Sequence, residues 1–135
     1  MVAPIADFLR RGIKVGLGTD SGGGFASGML DTIRQTIIAS NAQEVLSNGV
    51  DKALTLAQVF YLATLGGAKV LSLGNRIGNF AVGKEFDAVW VSSKPHSVMT
   101  MREEDESLTT TFEKFMMTGD DRNVVRVFVR GRQVK

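Results

Sequence analysis

The sequence has 135 residues, of which 44% are hydrophobic and 22% are charged, as in one soluble globular domain or a piece of a larger protein. Its net charge is only +2 and no aromatic platform is interleaved with the basic residues near the C-terminus, so we expect no nucleic-acid binding. The absence of cysteine excludes disulfides and thiolate metal sites. The apolar runs are too short to cross a bilayer and no secretory signal pattern is present, so we expect a cytoplasmic protein.

The chain opens with a predicted helix and a predicted strand. In PIADFLRRG the apolar residues share one face, and two arginines precede Gly12, which predicts a short helix that ends there. IKVGLGT, residues 13–19, alternates apolar residues with glycines and predicts a buried strand that ends at Asp20. Because no second strand follows nearby, we expect other chain segments or other copies to supply its ladder partners.

Two further helices are predicted before the middle of the chain. Ser27 is a candidate cap for the first, which has a wide apolar face and is expected to end near Ser47–Gly49. Thr55 and Gln58 have the spacing of a capping box, which predicts the start of the second. A break is expected at the Gly66-Gly67 pair. The order helix, strand, helix, helix favours an α/β layer.

After about Gly74 the sequence becomes rich in short strands. Phe86–Val91 alternates in hydrophobicity, as expected of a half-buried strand. A helix is predicted at Leu108–Met117, and VVRVFVRGRQV is predicted to form a hairpin with its turn at Arg130-Gly131. We therefore predict a β-rich C-terminal part attached to a preceding α/β part.

The stretch KVGLGTDSGGG places one carboxylate, Asp20, at the end of the predicted strand. Functional groups of parallel α/β proteins lie at the C-terminal ends of strands, and a carboxylate there is a hard metal ligand and a proton acceptor. The alternative is that Asp20 is a plain turn residue in a glycine-rich connection. A phosphate-binding loop is a weaker interpretation, since Ser21 replaces a required glycine and no Lys-Ser/Thr pair follows.

Longer motifs add a family resemblance. KVGLGTDSGGGFASGMLDTIRQ is similar to the last barrel strand and following loop of guanine deaminases, in the amidohydrolase superfamily. The resemblance continues through LTLAQVFYLATLGGAKVLSL and IGNFAVGKEFDAVWV to FMMTGDDRNVVRVFVRGRQV, over nearly the whole chain. GLGTD occurs in many amidohydrolases, whereas TLGGA, IGNFAVGKEFDA and GDDRN together are typical of guanine deaminases. Ser21 and Gly22 depart from the more usual Val-Ala or Val-Ser.

The resemblance implies an α/β fold, the C-terminal portion of a TIM-like (β/α)8 barrel in residues 1–73 and the C-terminal strands of a small β-sandwich domain in 74–135. It also implies zinc-dependent deamination of guanine to xanthine and ammonia, with Asp20 as metal ligand and catalytic proton acceptor. The zinc-binding histidines, the catalytic glutamate and the purine-contacting residues would lie upstream. We therefore expect this chain alone to be inactive, while the whole enzyme would be a homodimer, as is typical of the family.

Two alternatives stay open at this stage. The chain can belong to another amidohydrolase, of the cytosine deaminase or chlorohydrolase type, because the residues that set substrate specificity are not in it. It can also be an assembly module without catalytic activity. A stable monomer with a protected strand at residues 13–19 would favour the assembly module.

The remaining candidates have simpler interpretations. His96, the one histidine, stands in a polar loop and is expected to be exposed, because ligating histidines come in groups. GDDRN, Gly119–Asn123, is interpreted as a turn at the end of a helix with local charge pairing. Met116 and Met117 are expected to fill core space. Phe25 follows the glycines and is expected either to approach a bound purine or to pack in the fold.

Overall fold

A computed structural model of the chain describes residues 2–94, 98–99 and 106–135. The chain divides into two compact units, Met1–Asn79 and Phe80–Lys135. The predicted domain division between residues 73 and 74 stays a prediction. Within the part of the chain described, no helix has both the length and the apolar character needed to cross a membrane.

The first unit is helical in its described residues. Its elements are α1 (Ile5–Arg10), α2 (Met29–Leu46), α3 (Leu56–Tyr61), a π-helical turn (Leu62–Gly66) and α4 (Gly67–Val70). The predicted first helix is confirmed, and Gly12 follows it in the left-handed conformation with φ +72°, which glycine adopts without steric cost.

Helix α2 differs from its prediction at the start and along its face. Gly28, not Ser27, is the N-cap, in an extended conformation, and no side chain caps the helix. The predicted end is confirmed, with Ser47 as C-cap. The wide buried face is wrong: Ile33 is buried, but Ile38 is 67% and Val45 76% exposed. Periodicity shows which face of a helix can be covered, but a neighbour must be present to cover it.

The capping box at the start of α3 is confirmed. The Thr55 hydroxyl oxygen accepts from the Gln58 N–H at 3.2 Å, and Gln58 Oε1 accepts from the Thr55 N–H at 2.8 Å. Val59 on this helix and Leu62, the first residue of the π turn, are fully buried and form part of the core. The break predicted at Gly66-Gly67 coincides with the change from the π turn to α4.

The strand predicted at residues 13–19 is not formed in this chain. All strands of the described residues lie in the second unit, and a strand exists only where a neighbouring strand completes its ladder. The Leu17 N–H instead donates to the Leu62 carbonyl at 3.2 Å. A Cβ atom on Gly16 would lie 2.8 Å from Gly67 Cα, so segment 13–19 runs directly against the start of α4.

The second unit contains a three-stranded antiparallel sheet in the order β1 (Ala88–Val91), β2 (Val124–Val129), β3 (Arg132–Gln133). The predicted hairpin is confirmed, with left-handed Arg130 and Gly131 at its turn. Helix α5 (Leu108–Thr118) begins where the Ser107 hydroxyl accepts from the Thr110 N–H, and Gly119 ends it. A 3-10 turn at Asp121–Asn123 leads into β2.

Candidate functional site

Asp20 lies at the end of segment 13–19 and begins a tight turn. Its φ of +48° is left-handed, a conformation that Asp tolerates better than most residues. Its backbone carbonyl accepts the N–H groups of Gly23, at 3.0 Å, and of Gly24. The backbone of Asp20 is therefore a turn, as one of the two interpretations expected.

The three glycines shape this turn, which we call the glycine loop (Asp20–Gly24). A Cβ atom on Gly24 would lie 2.9 Å from the Asp20 carbonyl oxygen, and one on Gly23 would lie 3.2 Å from Asp20 Oδ2. Gly22 has φ +112°, a value that other residues rarely adopt. The carboxylate thus lies over the loop, and the loop closes only because these positions have no side chain.

The Asp20 side chain is exposed to solvent. Within the described residues, no hydrogen bond or ion pair engages its carboxylate. The carboxylate is therefore available to an incoming ligand, which is the second interpretation of this residue. Asp20 lines neither of two clefts of the first unit, which have volumes of about 200 and 260 Å³.

A metal site needs more than this carboxylate. The residues described contain no group of three or more His, Cys, Asp or Glu that could hold a metal ion. Structural and catalytic zinc sites use at least three protein ligands, so a complete zinc site would need ligands in addition to these residues. Asp20 fits one position in such a set, because it is an exposed carboxylate oxygen donor. His96 lies outside the described residues.

The GDDRN residues have a structural role, as predicted. Asp120 forms an ion pair with Arg122 at 2.6 Å, and this hydrogen-bonded contact raises the pKa of the Arg122 guanidinium. Met116 is buried as predicted, whereas Met117 is 46% exposed, contrary to the prediction. Phe25 is 86% exposed, so it does not pack within the part of the chain described.

One polar contact between residues distant in sequence was not predicted from the sequence. Arg10 donates to Asp51 at 2.6 Å, and this hydrogen bond, supported by one from Gln43, lowers the pKa of the Asp51 carboxyl. Such a shift can indicate a functional site, but here it follows from an ion pair that joins α1 to the loop after α2. The partners are 41 residues apart, so no local spacing pattern indicates the pair.

Comparison with known proteins supports the family resemblance that the sequence motifs indicated. The model of the amidohydrolase family matches residues 1–134. The chain belongs to the amidohydrolase family. The amidohydrolase-type fold accounts for its mixture of helices and strands.

Among relatives, this amidohydrolase chain is 43% identical over 135 residues to the guanine deaminase of Rattus norvegicus, covering 96% of the chain and 29% of that protein. Among solved structures, it is similar to a guanine deaminase from C. acetobutylicum with guanine bound in the active site. The TM-score is 0.85 and the identity 30%, over 99% of this chain and 30% of that one.

An adenosine deaminase from Xanthomonas campestris with bound zinc is also similar, with a TM-score of 0.74 and 25% identity, over 97% of this chain and 28% of that one. The chain thus spans less than a third of the length of each of these three relatives.

Proposed function

We propose that this chain is part of a zinc-dependent guanine deaminase, which hydrolyses guanine to xanthine and ammonia. The similarity to guanine deaminases extends over 96% of the chain in the rat relative and includes a structure solved with guanine bound. The observation that carries the proposal is the exposed carboxylate of Asp20. Asp20 is the first residue of the glycine loop, in a chain of the amidohydrolase family.

The same proposal assigns the architecture. Residues 1–73 would be the last strand and helices of a (β/α)8 barrel, and residues 74–135 the C-terminal strands of a small β-sandwich domain. Segment 13–19 supports this assignment, because it is apolar and has no strand beside it among the described residues. Neighbouring barrel strands would satisfy its backbone groups. The resemblance further suggests a homodimer located in the cytoplasm.

In this proposal Asp20 acts through its carboxylate oxygens. Zinc, when bound, supplies an activated water for attack on the purine carbon that bears the amino group. Asp20 would provide one oxygen ligand to the metal and would accept a proton at its carboxylate, the role of a general base. Because the described residues supply too few ligands for zinc, the others would come from polypeptide outside these 135 residues.

The decisive variant is Asp20→Asn in the full-length protein that contains these residues. The amide keeps the size of the side chain but loses the charge and the proton-accepting oxygen, so we expect guanine turnover to fall by roughly 10²- to 10⁴-fold. The rate of ammonia release from guanine measures this turnover. Asp121→Asn, which changes another exposed aspartate, should leave the rate unchanged. Near-normal activity of Asp20→Asn would show that Asp20 is not catalytic.

The zinc-bound adenosine deaminase among the similar structures supports a second candidate, a deaminase or chlorohydrolase of this family with another substrate. Assays of the full-length protein with guanine, adenosine, cytosine and a chlorotriazine would separate the candidates. Turnover of guanine alone would support the proposal. Turnover of none of them would favour the non-catalytic assembly module.

A further inference from the structure

Phe25 is an exposed aromatic ring directly beyond the glycine loop. It is 86% exposed, although burial of a phenylalanine side chain is strongly favourable. Packing within the described chain therefore does not account for it. Ligand sites are lined mainly by hydrophobic and aromatic side chains with a few polar groups, so a large apolar side chain left in solvent beside a candidate site can contact a ligand.

The glycine loop brings the backbone that precedes this ring back to Asp20. The Gly24 N–H donates to the Asp20 carbonyl, and a Cβ atom at Gly24 would lie 2.9 Å from the same oxygen. The backbone thus returns to Asp20 one residue before Phe25. The candidate catalytic carboxylate is consequently at the start of one small turn, and the exposed ring follows directly after its end.

We propose that Phe25 is a specificity-determining residue that stacks its ring on a planar heteroaromatic substrate held beside Asp20. This inference rests on the proposed function, because it takes the substrate to be guanine. A phenyl face offers stacking and apolar contact but no hydrogen bond, so it selects flat bases by shape. The glycines that precede Phe25 can absorb the changes in φ and ψ that bring the ring onto the substrate.

The test compares Phe25→Ala, Phe25→Leu and Phe25→Trp in the full-length protein by steady-state kinetics with guanine. Loss of a base–aromatic stack raises KM by on the order of tenfold, while kcat changes little because the contact is made equally in the ground and transition states. Phe25→Leu should stay impaired, since it restores apolar volume without a π face. Phe25→Trp should recover a KM near that of the wild type.

Phe80→Ala is the matched control, because Phe80 is also a largely exposed phenylalanine, at 72%, but lies in the second unit. Its KM for guanine should not change. An unchanged KM in Phe25→Ala, or full recovery by Phe25→Leu, would overturn the stacking role. A lower melting temperature without a change in KM would show packing instead. If the wild-type protein does not turn over guanine, the proposed function itself fails, and the inference fails with it.

Discussion

Asn123 illustrates how one side chain can secure a turn. It is fully buried, its Nδ2 donates to the Ser92 carbonyl at 2.9 Å, and its Oδ1 accepts from the Asp120 N–H at 3.1 Å. The Ser92 N–H in turn donates to the Asn123 carbonyl at 2.8 Å. The asparagine therefore fixes the GDDRN turn to the residue that follows β1.

Replacing Asn123 with alanine should destabilise the protein by about 1–3 kcal/mol, because the Ser92 carbonyl and the Asp120 N–H both lose a buried partner. Urea unfolding measures the difference. Thr109→Ala, at an exposed position of α5, is the control and should change stability by less than about 0.5 kcal/mol. Equal stabilities of the two variants would contradict the role given to Asn123.

Residue-level features were predictable where they are local. The turn at GDDRN and its Asp120–Arg122 pair follow from residues that are neighbours in sequence. The burial of Asn123 could not be inferred, because its partner Ser92 is 31 residues away. Likewise the position of Asp20 at the start of a turn follows from the glycines, whereas its access to a ligand depends on residues brought together by folding.

At the level of elements, the position of segment 13–19 depends on the close approach of its backbone to the backbone of Gly66 and Gly67. Gly16 faces Gly67, and a Cβ atom on Gly66 would lie 3.1 Å from the Val15 carbonyl oxygen. By contrast, a Cβ atom on Gly18 would have no atom within 4 Å. The glycines of GLG therefore differ in role, although they are two residues apart in one motif.

Gly16→Ala should destabilise the protein by about 1–3 kcal/mol, because the added methyl group meets backbone atoms of α4 that cannot move aside. Gly18→Ala, in the same segment, should leave stability unchanged or slightly raised, since a Gly→Ala change restricts the unfolded chain. Thermal unfolding of the two variants provides the comparison. If both variants were equally stable, the close approach of segment 13–19 to α4 would be wrong.

Elements with local signals were predicted well. The capping box of α3 and the hairpin turn at Arg130-Gly131 are both set by residues within four positions of each other. The predictions of a strand at residues 13–19 and of a wide buried face on α2 were wrong, because a strand ladder and a packed helix face both require neighbours that are distant in sequence. Propensity gave the conformations that these segments can adopt, and the neighbours decide which of them form.

At the level of the whole molecule, much apolar surface is uncovered. Ile38 and Val45 on α2 and the sheet residues Val89 and Trp90 are all exposed. Exposed apolar surface on this scale marks contacts with other polypeptide. It agrees with a chain that spans 29% of the length of its rat relative.

The 135-residue chain by itself should release no ammonia from guanine and should bind zinc only weakly. One carboxylate is too few ligands for a zinc site, and the described residues contain no further cluster. A coupled ammonia assay and calorimetric zinc titration, on a sample shown to be folded by circular dichroism, provide the measurements. Ammonia release at a rate above that of buffer would refute the expectation.

The π turn between α3 and α4 limits which insertions and deletions the sequence can tolerate at this position. A π turn closes its hydrogen bonds over one residue more than an α turn, and each residue of an α-helix advances it by about 100°. Deleting one residue from Leu62–Gly66 would therefore convert the π turn into a regular α turn and leave the direction of Ala68, now buried, nearly unchanged, whereas deleting a second residue would rotate it by roughly that angle. The π turn thus accommodates one residue more than an α-helix would hold there, while the glycine pair stays aligned with segment 13–19.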